Sequence, residues 1–157
     1  MPNWPAPTEP SATPATLART VLTRYAFAVD DSDLETLAGL VDPDVALELT
    51  AGTLSGREAV REFYGGTFAS RRFSRHLITD VDVTSVEGTG ADERVGFRAR
   101  FLFASVGDAV RSGIGTYRGT LRREGGEPVL TALEVQLDIV ADGLEAVVQL
   151  PGAEVPR

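Results

Sequence analysis

The chain lacks cysteine altogether and has a single histidine among its 157 residues. Without cysteine there is no disulfide framework and no thiolate to act as a nucleophile or a metal ligand. One imidazole leaves only carboxylate-rich metal sites, and the sequence contains no EF-hand or similar ligand spacing. We therefore expect neither a bound metal nor any other cofactor.

Long apolar runs and positive charge are also scarce. The apolar runs are far too short to span a bilayer, so no membrane partner is expected. The formal net charge is −8, and the only basic patch, "ASRRFSR", is too small to offset the repulsion of a polyphosphate backbone. Nucleic acid is therefore not an expected partner either.

The length fits one domain with a core large enough to enclose a pocket, and a composition of 43% hydrophobic and 24% charged residues is that of a globular protein. The proline-rich start, "MPNWPAPTEPSATPAT", carries no positive charge and no apolar stretch, so it is predicted to be a flexible arm over residues 1–15 rather than a signal peptide. A cytoplasmic location follows as the default expectation. Residues 16–140 form the predicted domain. Residues 141–157 form a tail whose apolar residues suit a short helix before Pro151, acting as a pocket lid or a dimer contact.

Helical periodicity dominates the first half of the chain. From Thr16 an apolar stripe recurs at three- and four-residue spacing. The stretch "DSDLETLAGLVDPD" predicts a second, short helix that Pro43 ends, and "DVALELT" predicts a strand after it. A turn and a third helix are predicted in "GTLSGREAVREFYGGTFA", with Phe63 and Tyr64 among the residues that can face inward.

The second half changes to a period of two. Four stretches separated by turn clusters predict an antiparallel meander: "RHLITDVDVTSVEG", "ERVGFRARFLFASV", "AVRSGIGTYRGTLRREGG" and "PVLTALEVQLDIV". Strict alternation in the last strand places the odd-numbered residues from Val129 to Ile139 on one face and Leu130 and Glu134 on the other.

This order of elements resembles the nuclear-transport-factor-2-like superfamily, and within it the SnoaL-like group that includes scytalone dehydratase and related lyases. The resemblance covers roughly residues 16 to 139 and is carried by "RYAFAVDDSDLETLAGLVDPDV", "SGREAVREFY", "SRHLITDVDV" and "GTYRGTLRREGG". It implies an α+β fold in which three helices from the first half wrap a cone-shaped, curved mixed or antiparallel sheet. It also implies a deep apolar pocket and a homodimer.

The resemblance places Asp30 and His76 where the dehydratase-like members have their catalytic aspartate and histidine. A carboxylate bonded to one imidazole nitrogen fixes the tautomer and leaves the other nitrogen free to take a proton from substrate. From the residues alone, Asp30 could equally be a helix-end carboxylate facing water, and His76 a strand histidine bonded to the backbone. Substrate-binding candidates are the aromatic residues Tyr25, Tyr117 and Phe63, together with Glu134.

Tyr117 lies on a strand face shared with Gly113, Gly115 and Gly119. These glycines either leave room for a ligand beside the tyrosine ring or mark curvature of the sheet. Glu134 lies opposite the apolar residues of its strand, and becomes a pocket residue if the concave face of the cone is the more polar one.

Departures from the family pattern limit the chemistry. Leu49 stands where the steroid isomerase branch has its aspartate base, and the second histidine of scytalone dehydratase is missing, so neither of those two reactions is expected. The sequence therefore predicts a cofactor-independent lyase or isomerase, of the dehydratase or cyclase type, acting on a small apolar cyclic or polyketide-like metabolite. The alternative is a non-catalytic small-molecule-binding or subunit-interaction module of the same fold, in which Asp30 and His76 need not meet.

Overall fold

A computed structural model of the protein describes residues 12–124 and 127–143. These residues form three helices, six strands and a short 3-10 turn at Gly90–Asp92. The helices are α1 (Pro14–Asp30), α2 (Leu34–Gly39) and α3 (Arg57–Ser70). The strands are β1 (Val41–Leu49), β2 (Gly52–Ser55), β3 (Phe73–Glu87), β4 (Arg94–Val106), β5 (Val110–Glu124) and β6 (Glu127–Asp142).

The strands form one curved, unclosed mixed sheet in the order β2-β1-β6-β5-β4-β3. Strands β3 to β6 make the predicted antiparallel meander, and β1 joins β6 in parallel. The expected α+β architecture is therefore confirmed. None of the helices within residues 12–124 and 127–143 has the length and apolar character needed to cross a bilayer.

The core lies between the helices and one face of the sheet, which we call the inner face. The apolar stripe of α1 supplies Leu17, Val21 and Tyr25, each at most 3% exposed. On the sheet, Phe97 and Phe101 of β4 are equally buried. Each such side chain stabilises the fold by about 1.5–3 kcal/mol through loss of apolar surface from water. This packing holds α1 against β3 and so brings Asp30 to His76.

Pro43 does not end the second helix, contrary to the sequence prediction. Helix α2 stops at Gly39, and β1 begins at Val41 with Pro43 inside it. The proline is tolerated because the pairing of β1 with β6 is interrupted between Val41 and Ala46, so no ladder hydrogen bond is required of it. The short edge strand β2, which pairs with β1, was not predicted because four residues are too few for a period to show.

The strict alternation predicted for β6 is also wrong. A register shift places one extra residue in β6 opposite Thr120 and Leu121, so that Leu130 and Leu133 are both buried on the inner face. A second shift near Gly115 turns Ile139 outward, where it is 62% exposed. These bulges bend the sheet and form the concave surface of the site.

The ends of the chain are described only in part. Helix α1 begins at Pro14, two residues before the predicted start, with the Thr13 hydroxyl accepting a hydrogen bond from the Thr16 N–H as its cap. The rest of the predicted arm and the predicted tail helix, residues 1–11 and 144–157, lie outside the described residues.

Candidate functional site

Asp30 is the last residue of α1, at the point where the helix is brought to an abrupt end. Ser32 adopts a left-handed conformation with φ 58°, and Asp33 N–H bonds back to the Ala28 carbonyl at 2.8 Å. This is a Schellman termination with a serine in the position that glycine usually fills. A carboxylate at this end opposes the helix dipole, so Asp30 is stabilised by a donor that lies outside the helix.

His76 supplies that donor twice. Its backbone N–H donates to Asp30 Oδ2 at 2.8 Å, and its ring Nδ1 lies 2.7 Å from Asp30 Oδ1. The pair is shielded from solvent, with 14% of the His76 side chain and 6% of the Asp30 side chain exposed. Within residues 12–124 and 127–143, no group is bonded to Nε2, so that nitrogen is available to a ligand. The two leading catalytic candidates are thus brought together.

The electrostatics of Asp30 reflect these contacts. Burial is the largest single influence and raises the pKa of Asp30, but the two hydrogen bonds and the charge of His76 outweigh it and leave the pKa below its usual value. Ser74 adds to this lowering of the pKa. Its hydroxyl is buried and has no partner at hydrogen-bond distance among the described residues, so it acts on the carboxylate as a nearby dipole rather than through a formed bond.

Arg71 fastens the end of α1 from the other side. Its guanidinium donates to the Val29 carbonyl, lies 3.2 Å from the Ser32 hydroxyl and stacks over the Phe68 ring at 4.8 Å from the centroid. Burial lowers the pKa of Arg71, while the nearby Asp30 acts in the opposite direction. The arginine therefore connects the α3–β3 junction to the last turn of α1 and limits the movement of Asp30.

Three tyrosines meet beside the histidine and aspartate. Tyr25 of α1 is hydrogen-bonded through its hydroxyl to that of Tyr64 of α3, and its ring makes an edge contact with Tyr117 of β5 at 6.0 Å. Burial raises the pKa of all three, most strongly for Tyr25 and Tyr117. They are therefore neutral across the working pH range. Two hydroxyls that share one hydrogen bond keep one proton available for a ligand oxygen.

These groups line a cavity of about 200 Å³ between α1, α3 and the inner face of the sheet. Its walls are mostly aromatic and aliphatic, and its lining residues are Tyr25, Val29, Tyr64, His76, Phe101, Phe103, Arg111, Tyr117, Val135 and Leu137. A cavity of this character, with a few polar groups converging on it, is the usual form of a small-molecule site.

Of the other four predicted site residues, two line the cavity and two lie elsewhere. Tyr25 and Tyr117 line the cavity, but Phe63 stands behind it and makes an edge contact with Tyr64 at 5.3 Å. Glu134 lies on the opposite face of the sheet, 3.6 Å from Arg118. It does so because the concave inner face is the apolar one, whereas Glu134 would be a pocket residue only on a polar concave face. Tyr64 and Arg111 are cavity residues that the sequence argument did not select.

Two larger depressions, of about 480 and 550 Å³, lie on the outer face of the sheet. Both are lined by charged residues, and Arg98 and Arg118 in them already pair with carboxylates. Neither contains the histidine, so the smaller cavity beneath the helices is the better candidate site. Among the described residues, no group of three or more histidine, aspartate or glutamate side chains is placed to hold a metal ion.

Comparison with known proteins identifies the family of the chain. The chain matches the family model of the SnoaL-like domain over residues 17–129. It belongs to the SnoaL-like domain family. The resemblance drawn from the sequence is therefore confirmed, although no curated protein matches the chain in sequence.

Solved structures share the fold at low identity. A protein of Novosphingobium aromaticivorans assigned as an aromatic ring hydroxylase has a TM-score of 0.73 and 22% identity, over 82% of this chain and 92% of its own. One from the same organism assigned as a scytalone dehydratase has a TM-score of 0.73 and 17% identity, over 88% and 93%. The hexachlorocyclohexane dehydrochlorinase LinA-type3 of Novosphingobium barchaimii has a TM-score of 0.70 and 16% identity, over 86% and 92%. At these identities the likeness shows the fold alone.

Proposed function

We propose that the protein is a cofactor-independent lyase or isomerase that removes a proton from a small, mostly apolar cyclic molecule. His76 is the general base and acid, and Asp30 is the carboxylate that orients it. The observation that carries the proposal is the 2.7 Å contact between His76 Nδ1 and Asp30 Oδ1 beside an apolar cavity. The proposal needs no metal or cofactor, because the imidazole itself supplies the base.

The carboxylate determines which ring nitrogen acts. Because Asp30 accepts a hydrogen bond from Nδ1–H, the neutral ring carries its proton on Nδ1, and Nε2 faces the cavity without a proton. Nε2 takes a proton from carbon α to a carbonyl, and the electrons of that C–H bond form the new double bond. In an elimination the bond from the β carbon to its oxygen breaks, and the imidazolium returns its proton to that oxygen, which leaves as water. Such acid–base catalysis accelerates a reaction by about 10²–10⁴-fold.

The tyrosines stabilise the charge that develops on the carbonyl oxygen. The Tyr25–Tyr64 pair has one hydroxyl proton to donate, and Tyr117 places a second hydroxyl in the cavity wall. Donors fixed in a water-poor cavity stabilise an enolate more strongly than water does, because they need no reorganisation. Neutral tyrosines with raised pKa values keep their protons while they do so.

The size of the cavity limits the substrate. An apolar cavity of about 150 Å³ holds benzene, so the 200 Å³ here suits one substituted ring. A polyketide-like metabolite would have to be of that size to fit.

The names of two structural relatives, a dehydratase and a dehydrochlorinase, are those of enzymes that form double bonds by elimination, which supports the proposed class. The alternative, a non-catalytic binding or subunit-interaction module, does not require the His76 ring to be oriented by Asp30. Their contact therefore favours the enzyme.

The test uses a one-ring β-hydroxy ketone, 3-hydroxycyclohexanone, in D2O. NMR follows exchange of the α protons, and ultraviolet absorbance follows formation of the conjugated enone. The wild-type protein is expected to accelerate exchange, and His76→Ala is expected to abolish the acceleration. Equal exchange rates in wild type and His76→Ala would refute the proposal, because the step measured is the proton abstraction itself.

We also propose that the protein is a homodimer formed through the outer face of the sheet. A row of four exposed aliphatic residues crosses this face in register, namely Leu77, Leu102, Ile114 and Ile139. Strands β3 to β6 have 13 to 16 residues each, and at about 3.4 Å per residue and 4.8 Å per strand they offer a face of about 950 Å². This is the area that each partner of a stable complex typically buries. The cytoplasmic location expected from the sequence stays a prediction.

A further inference from the structure

Arg111 is the one cavity-lining residue with a permanent charge that the proposed mechanism does not use. It lies at the second position of β5, and its Nε donates to Asp142 Oδ1 of β6 at 2.8 Å. The guanidinium has three nitrogens in one plane. Among the residues that the structure describes, Asp142 is the only partner of this guanidinium, and it uses the Nε edge.

The sheet register places Arg111 at a defined distance from His76. His76 pairs with Phe103 on β4, and Phe103 pairs with Gly113 on β5, so these three residues form one row across the sheet. Arg111 is the next residue of β5 on the same face. From strand spacing and rise, its Cα lies about 12 Å from that of His76. Both residues line the cavity, so a ligand of one substituted ring in it can contact both.

The ion pair with Asp142 fixes how Arg111 presents itself. Both side chains are about half exposed, 54% for Arg111 and 64% for Asp142, so the pair lies at the mouth of the cavity rather than inside it. Asp142 bonds to Nε alone, so among the described residues the two Nη groups carry no hydrogen bond. A planar fork of this kind matches the two oxygens of a carboxylate.

We propose that Arg111 binds a carboxylate group of the substrate through its two Nη groups and so orients the ring against Nε2 of His76. The inference rests on the proposed function and narrows its substrate class to one-ring compounds that carry a carboxylate. The carboxylate lies at the wet mouth, where its hydration is largely kept. The reacting carbon lies deeper, against Phe101 and Phe103. Because the chain as a whole has a net charge of −8, the attraction is local and directional, and this arginine is needed for it.

The experiment measures binding rather than turnover. Benzoate and its neutral isostere benzamide are titrated separately into the protein, and the NMR signal of the His76 ring reports occupancy without ambiguity because the chain has no other histidine. Benzoate is expected to shift the signal saturably and to bind more tightly than benzamide. Arg111→Met is expected to weaken benzoate binding by about threefold to fivefold, which is the upper end of what a half-exposed ion pair contributes. The affinity for benzamide is expected to change less than twofold.

The matched control is Arg118→Met. Arg118 is on the same strand, is 51% exposed and is likewise paired with a carboxylate, Glu134, but it projects from the outer face. The Arg118→Met variant has the same change in net charge as Arg111→Met, and its affinity for benzoate is expected to equal that of the wild type. Arg111→Lys keeps the charge without the planar fork and is expected to bind benzoate with an affinity between those of wild type and Arg111→Met.

The outcomes separate this inference from the proposed function. Equal benzoate affinity in wild type and Arg111→Met overturns the role of Arg111, as does an equal loss in Arg118→Met or an absence of benzoate binding to the wild type. If benzamide still shifts the His76 signal in any of these cases, the cavity beside the histidine still binds a one-ring ligand, and only the role of Arg111 is refuted. Conversely, benzoate binding that depends on Arg111, in a protein without exchange activity, would support the inference and refute the proposed function.

Discussion

Asp30 binds both the backbone and the side chain of His76, with one carboxylate oxygen on each. The backbone contact ties the end of α1 to β3 whatever the state of the imidazole. The ring contact then selects the orientation of that imidazole. One residue thus serves both as a structural link and as the orienting group of a proposed base, and variants at this position must be designed to distinguish the two roles.

A double-mutant cycle tests whether Asp30 and His76 act as a unit. Asp30→Asn and His76→Ala are each expected to lower the rate of α-proton exchange by about 10²–10⁴-fold. The double variant is expected to lose no more than His76→Ala, because an orienting group has no effect without the base that it orients. Asp31→Asn, at the exposed neighbouring carboxylate, is the matched control and is expected to retain activity. Losses that multiply in the double variant would mean that the two residues act independently.

The tautomer of His76 provides a test that needs no substrate. Since Asp30 accepts the proton on Nδ1, the neutral ring is expected to carry its proton on that nitrogen, with Nε2 bare. Nitrogen-15 chemical shifts of the single histidine distinguish the two tautomers directly. In Asp30→Asn the amide can turn its NH2 group to the ring, and the preference for the Nδ1-protonated form is expected to weaken or reverse. An unprotonated Nδ1 in the neutral wild-type protein would contradict the geometry.

The low pKa of Asp30 makes stability depend on pH. Because its pKa is lower in the folded chain than the ordinary value of 3.8, the folded state binds fewer protons than the unfolded state near that pH. The stabilisation is complete above the ordinary value and is lost as pH falls from 3.8 through the lower folded value. The difference in free energy of unfolding between wild type and Asp30→Asn should therefore shrink below pH 3.8. Urea unfolding at a series of pH values measures it. Ser74→Ala should reduce the same dependence by a smaller amount, and a difference that does not vary with pH would exclude this linkage.

Two glycines, Gly115 in β5 and Gly66 in α3, give a packing test with opposite signs. A Cβ on Gly115 would lie 2.6 Å from the Phe101 ring and would also collide with the Gln136 carbonyl, so Gly115→Ala is expected to destabilise the fold by about 2–3 kcal/mol. Gly66, in the middle of α3, has nothing within 4 Å of the same position. Gly66→Ala should stabilise by about 0.5–1 kcal/mol through helix propensity. Chemical denaturation of both variants checks the pair, and a stable Gly115→Ala would show that the sheet can relax at this point.

The proposed dimer predicts that one charge in the apolar row separates the subunits. Ile114 lies between Leu102 and Ile139 in that row and is 41% exposed, so Ile114→Asp should bury an unpaired carboxylate at the interface. Light scattering with size-exclusion chromatography is expected to give a dimer for the wild type and a monomer for this variant. Phe27→Asp is the matched control, since Phe27 is 62% exposed but lies on α1 away from the sheet. A monomeric wild type would dismiss the interface.

The fold and the contact between Asp30 and His76 could be predicted from the sequence, whereas the shape of the site could not. Helical and strand periods predict all three helices and the four long strands, and the family resemblance predicts that Asp30 and His76 are paired. Tyr64 carried a usable signal, because it follows Val60 by four residues and so shares its buried side of α3. Arg111 carried none, since an arginine at the start of a polar strand becomes a cavity residue only through its register with β4 and β6.

The two bulges explain why the strict alternation predicted for β6 is wrong. Each inserts one residue into β6, and from that point every side chain changes face, which no period of two can anticipate. Glu134 was misassigned for a different reason. Its face was predicted correctly as the one opposite Leu133, but which of the two faces is concave depends on the curvature of the whole sheet.

The glycines of β5 also answer the question that the sequence left open about the space beside Tyr117. That space is filled by the phenylalanine rings of β4, which lie over the glycine positions: the Phe103 ring comes within 2.9 Å of where a Cβ on Gly113 would be. The phenylalanine rings of β4 therefore form the floor of the cavity, and the glycines of β5 leave the space that those rings occupy. The glycines therefore provide no free space for a bulkier, two-ring compound. Replacing Phe103, the half-buried ring that stacks on the proposed base, with a smaller residue would provide it.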